Sequence, residues 1–216
     1  MIQKTPDIPV ARTQFRAIIV LSRFVSIIFH PLFMTTITAV VFNKLVSGSF
    51  HLGKWIDNLI LYTVLLPFLC ILLFRISGLI SNARMHKPRD RILPLVATMI
   101  FYFLAYELCV YEYNCSILLK GLLLGSSCAI FIILAINFFY KVSVHTTAAA
   151  ILPGLCIVLA IAAKGTSMVA LLSGIVIAVL VGGARWFLGA HTPGQIFFGY
   201  IVGIFSQAAA YFLLNV

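Results

Sequence analysis

Charge is what this sequence has least of, and negative charge above all. Of 216 residues only 9% are Asp, Glu, Lys or Arg, and five acidic residues stand against fifteen lysines and arginines. Soluble domains carry about 25% charged residues, so this chain has no charged surface with which to face water. The few carboxylates give no sign of a metal cage, since only Asp90 lies in the polar segments considered below. The five cysteines, Cys70, Cys109, Cys115, Cys128 and Cys156, fall mostly in apolar runs without metal-ligand spacing and read as small apolar filler. The opening stretch MIQKTPDIPVARTQF is polar and basic, without the apolar core and small-residue cleavage site of a signal peptide. No linker, repeat or second domain is visible, so residues 1–216 read as one domain.

What the chain does have is hydrocarbon: 62% of its residues are hydrophobic and its mean hydropathy is +1.13. That composition predicts an all-α, polytopic transmembrane bundle, each helix needing about 20 apolar residues to cross the bilayer. Candidate spans lie at about 17–42, with His30-Pro31 inside as a kink, then 58–80, and 92–112, with Glu107 and Glu112 towards its end. The rest lie at about 117–139, 147–163 (short, with Pro153-Gly154), 167–188 and 194–214. Seven helices result, or six if the third or fifth segment does not cross. The bacterial cytoplasmic membrane is the expected location. Lys4, Arg12, Arg16 and Arg23 flank the first span and put the N-terminus in the cytoplasm. The side on which the polar segments emerge depends on the helix count and stays open. A net charge of +10 favours contact with anionic membrane lipids and gives no argument for nucleic acid, because no soluble basic face exists.

The polar exceptions are three. SNARMHKPRDRILP (Ser81–Pro94) holds Arg84, His86, Lys87, Arg89 and Arg91; YKVSVHTTAAA (Tyr140–Ala150) holds Lys141, Ser143 and His145; ARWFLGAHTPGQ (Ala184–Gln195) holds Arg185, His191 and Gln195. One helical hairpin separates each from the next, so all three emerge on one side of the membrane. Clustered cations repel, and a shared anion is the natural way to hold them together. Each segment also has a plainer reading. Basic side chains at helix ends snorkel to headgroups, and T-x-x-Q at Thr192–Gln195 reads as a capping box with Pro193 at the first helical position.

Together the three segments, about residues 81–199, resemble the type 2 phosphatidic acid phosphatase superfamily of membrane lipid phosphatases. Its motifs are written K-x6-R-P, P-S-G-H and S-R-x5-H-x3-D. Here the third is Arg185, five residues, His191, three residues and Gln195; the second keeps Ser143 and His145; the first is loosest, with Arg84 and Arg91 correctly separated and Lys87 the rival for the lysine role. Val142 and Val144 replace the Pro and Gly of the second motif, Ala184 the Ser of the third, and Gln195 its aspartate.

The resemblance implies a metal-independent phosphatase with no cofactor. His191 would attack phosphorus to give a phosphohistidine, His145 would protonate the leaving alcohol, and Gln195 would orient the nucleophile. The residue chemistry agrees: a phosphate monoester needs a nucleophile, an acid and cations around its equatorial oxygens. Arg185, Arg91 and Arg84 or Lys87 would grip those oxygens, and Ser143 would add a donor. Gln195 accepts a hydrogen bond from imidazole but cannot match the charge of an imidazolium. An anion site at the mouth of an apolar bundle implies a phosphorylated lipid as substrate. The rival reading is a catalytically inactive relative that binds phospholipid or transports an anion, for which Asn137 and Glu107 are the candidate mid-membrane polar groups.

Overall fold

The computed structural model describes residues 9–45, 55–80, 88–111, 115–162 and 165–214. Those residues form nine helices and no strand: α1 (Pro9–Ile28), α2 (Pro31–Leu45), α3 (Ile56–Ile76), α4 (Pro88–Tyr111), α5 (Ile117–Ile136), α6 (Val144–Ala149), α7 (Ile151–Ile161), α8 (Met168–Phe187) and α9 (Pro193–Leu213). Five of them, α3, α4, α5, α8 and α9, are long and apolar enough to cross a membrane, and the α1–α2 pair makes a sixth if its two parts form one span. Large apolar side chains such as Leu73, Ile76, Phe131, Val179 and Phe205 stand on the outer surface. Water would not tolerate that arrangement and lipid requires it. The chain is an integral membrane helix bundle.

Two expected spans are not single straight helices, and proline chemistry explains both. The first, expected at 17–42 with a kink, is two helices bent by 66° at Phe29-His30. Pro31 has no N–H for the carbonyl four residues back and its ring crowds that carbonyl, so the chain stops and restarts. The fifth, expected at 147–163, is α6 and α7 broken at Ala150. Pro153 likewise cannot donate to Ala149, so a new helix begins with the proline in its first turn. α7 has 11 residues, about 16 Å at 1.5 Å per residue, against a hydrocarbon core of about 30 Å. α7 is thus too short to cross by itself, and among the described residues five segments, or six with the bent α1–α2 pair, are long and apolar enough, against the expected six or seven.

Most of the core lies at one end. Phe42, Trp55, Leu59, Leu122, Leu152 and Leu159 belong to one buried cluster joining the end of α2 and the starts of α3 and α5 with α7. At the other end packing is close because side chains are small. A Cβ at Gly199 would strike the Thr146 hydroxyl, and one at Gly203 would strike the Thr147 carbonyl oxygen. The spacing G-x-x-x-G on α9 thus lets its backbone lie against α6, the membrane-protein route to close helix contact.

Gly203→Ala should therefore push α9 from α6 and lower the unfolding midpoint in detergent, by an amount matching the about 1–3 kcal/mol of overpacking. Gly183→Ala, where an added Cβ meets nothing within 4 Å, should leave the midpoint where it is. Equal shifts for both variants would discredit the close-contact reading.

Candidate functional site

The turn between α8 and α9 is built by two local motifs. α8 ends in a Schellman closure: Ala190 N–H reaches Arg185 O at 3.1 Å, Gly189 N–H reaches Trp186 O at 2.8 Å, and Gly189 takes φ +61°. α9 begins with the Thr192/Gln195 capping box and Pro193 in its first turn. The five residues between the helices let Arg185 and His191 face one space, which a continuous helix would forbid: six positions at about 100° each leave them about 120° apart.

That space is a cavity of about 570 Å³. Its lining draws Arg91 from the first turn of α4, Lys141 and His145 from the α5–α6 junction, and Arg185 and His191 from the α8–α9 turn. Deeper in, Leu95, Ile130 and Ile133 form apolar wall, and Thr35, Tyr102 and Ser126 lie at the far end. The Thr35 and Ser126 hydroxyls are 3.1 Å apart and tie α2 to α5 there. Among the described residues no carboxylate lines the cavity.

The amide of Gln195 fixes the nucleophile candidate. Its Oε1 accepts the Thr192 N–H at 3.3 Å and lies 3.1 Å from His191 Nδ1. An oxygen that accepts from Thr192 cannot donate to the ring, so Nδ1 carries the hydrogen and Nε2 keeps its lone pair. Lys141 Nζ donates to Ala190 O at 3.2 Å, tying the loop before α6 to the same turn. The Arg185 Nε–H is buried and has no hydrogen-bond partner among the described residues, a cost of about 1–3 kcal/mol that a bound anion would remove.

The field in the cavity is strongly positive. Burial and then Arg185, Lys141 and Arg91 bring the His191 pKa down to about 4, against the opposing hydrogen bond that the ring donates to Gln195. Burial, followed by Arg185, His30 and His191, holds His145 well below the ordinary imidazole value. Lys141 is lowered by burial and then by Arg91 and Arg185. Each effect favours the form that carries less positive charge, as expected where cations share a space of low polarity.

Ser143 is not with them. It is fully buried at the start of α6, outside the cavity lining, and its hydroxyl accepts the Thr146 N–H at 3.4 Å. The expected phosphate donor is a helix cap instead, because an unpaired N–H at a buried helix start takes the nearest acceptor. Arg84 and Lys87 lie outside the described residues. Two further lining residues, Arg23 and His30, were read in the sequence only as a topology flank and a kink. Their spacing carried the missed signal: seven residues apart on a helix is nearly the same face, and ionisable groups within an apolar span are functional by default.

Comparison with protein-family models, curated proteins and solved structures finds no match for this chain.

Gln195→Glu has the same reach and adds a negative charge beside Nδ1, which favours the imidazolium. The His191 pKa should rise from about 4, read by NMR titration of the ring protons. An unmoved titration would mean that the His191–Gln195 contact does not govern the ring.

Proposed function

We propose that this protein is a membrane-embedded, metal-independent lipid phosphate phosphatase working through a phosphohistidine. One observation carries the reading: two histidines and three cations drawn from three places in the fold, Arg91, Lys141, His145, Arg185 and His191, line a single cavity with apolar wall beyond them. Cations gathered without carboxylates suit a multiply charged anion, and the apolar wall suits the chain attached to it. Aromatic side chains at the same end, Phe139, Trp186 and Phe198 among them, are exposed, as in the belt that sits at headgroup level. The phosphate then lies at the membrane surface and the tail in hydrocarbon. The resemblance of the three motifs to the type 2 phosphatidic acid phosphatases supports the same reading, and a bacterial cytoplasmic membrane is its natural setting.

Chemistry follows from the tautomer. The His191 Nε2 lone pair attacks phosphorus while the P–O bond to the lipid alcohol breaks, and His145 delivers its proton to the departing oxygen. Water then attacks the phosphohistidine with His145 as base, the P–N bond breaks, and inorganic phosphate leaves. Arg185, Arg91 and Lys141 meet the charge on the equatorial oxygens. Gln195 anchors the nucleophile without charging it. The transport reading gains nothing from its two candidates. Glu107 lies four residues from the end of α4 and Asn137 is the C-cap of α5, so neither is at mid-span.

Free phosphate released from a panel of lipid phosphates by the purified protein tests the proposal. His191→Ala should lower turnover by about a thousandfold or more, the scale seen when a nucleophile is removed. Retention of full release by that variant would refute the mechanism, and no release by the wild type from any lipid phosphate would refute the function.

The pH profile makes a separate demand. His191 must be neutral, so kcat/KM rises as pH climbs through its value of about 4. His145 must be protonated, so kcat/KM falls as pH climbs through a value itself lowered by burial and Arg185. The optimum of kcat/KM should lie on the acid side of the ordinary imidazole pKa of about 6.5. An alkaline optimum would contradict these roles.

A further inference from the structure

The break between α1 and α2 meets His145 in a way that proline chemistry alone does not require. In an unbroken helix the Ser26 carbonyl would accept the His30 N–H. Here the His30 N–H turns to Ile27 O at 3.3 Å, Phe29 N–H takes Val25 O at 2.9 Å, and Pro31 has no N–H to give. That leaves the Ser26 carbonyl open beside the His145 ring, where it favours the ring's charged form. His30, half-buried in the cavity lining, stands edge-on to the same ring, with centroids 5.3 Å apart and planes at 83°. Its Nδ1 accepts the Leu32 N–H at 3.4 Å, so the hydrogen of the neutral ring is on Nε2.

We propose that this break is a working part of the site, in which the Ser26 carbonyl and the His30 ring act together as the positioning group for His145. The inference rests on the phosphatase reading above. A carbonyl beside the His145 ring orients it and stabilises it when it becomes cationic, a task carboxylates commonly perform for histidine. No carboxylate lines this cavity among the described residues, and one introduced there would compete for the cations that bind phosphate. A backbone carbonyl freed by a helix break gives orientation and partial negative charge without that competition. His30 closes the other flank of the ring. Held neutral by the Leu32 N–H on its lone pair, it adds no positive charge beside Arg185, which a lysine or arginine would. His30 is a positioning residue, since its contact is with the acid.

A plainer role would be the cap alone, because His30 accepts from the start of α2. The substitutions separate the two. His30→Asn keeps an acceptor at the cap position, where Asn is among the best residues, and removes the ring; His30→Ala removes both. The substrates are dodecyl phosphate, which leaves as an alcohol and needs the proton, and 4-dodecylphenyl phosphate, which leaves as a phenol of pKa about 10 and needs it far less. Misplacing an acid worth about 10²- to 10⁴-fold should cost His30→Asn at least about tenfold more in kcat on dodecyl phosphate than on the phenyl ester. Wild-type activity on both esters with equal losses in His30→Asn, or with no loss, would overturn the positioning role and leave the phosphatase reading standing. A wild type that cleaves neither ester would remove the phosphatase reading and this role with it. An unfolding midpoint kept by His30→Asn but lowered in His30→Ala would assign the capping share separately.

Discussion

Positive charge gathered in one cavity whose described lining holds no carboxylate is the constraint on which the rest of this structure depends. Arg91, Lys141 and Arg185 share one cavity with His145 and His191, and no carboxylate joins them among the described residues. Such groups repel, the more so away from water. The bundle must therefore hold them by packing and hydrogen bonds formed elsewhere. The apolar cluster around Trp55, Leu122 and Leu152 anchors one end of the helices. At the site end, Gly199 and Gly203 bring α9 onto α6, which joins the element bearing His145 to the one following His191. The cost is visible in the lowered basicity of His191, His145 and Lys141. An anion entering the cavity would relieve that repulsion.

The site is assembled from interruptions in helices. α8 closes on Gly189, α9 opens at Thr192, α6 is capped by Ser143, and α1 breaks before Pro31. In a bilayer each interruption exposes backbone groups that must be satisfied within the protein. Here most are met by caps: Gln195 serves the start of α9 and the His191 ring with one oxygen, and Ser143 serves the start of α6. The Ser26 carbonyl is left open towards a side chain of the cavity. Capping and side-chain orientation thus use the same atoms, which explains why Gln195 reads equally well as a helix residue and as a partner of His191.

How far the site was legible depends on sequence distance. Arg185, His191, Thr192 and Gln195 lie within one turn, and the Gly, Pro and T-x-x-Q signals that shape it are local, so their mutual geometry was readable. The convergence of that turn with Arg91 and His145 followed from counting helical hairpins. Ser143 misled, because a hydroxyl beside a histidine serves a ligand or a helix N-terminus equally well until burial decides. Arg23 and His30 were hidden in a segment whose flanking cations looked like topology signals.

Composition by itself determined that this chain lives in lipid as a helical bundle, because a surface with 9% charged residues cannot be hydrated. Local pattern determined where most helices begin and end, since proline, glycine and capping residues act within a turn. Only the tertiary structure decided how many helices are long enough to cross, because the break at Pro31 makes a bent pair and the one before Pro153 leaves a helix of 11 residues. It alone brought His30 against His145, 115 residues away. That contact is set by the 66° angle between α1 and α2 and by the packing of α2 on α6, quantities that depend on the whole bundle.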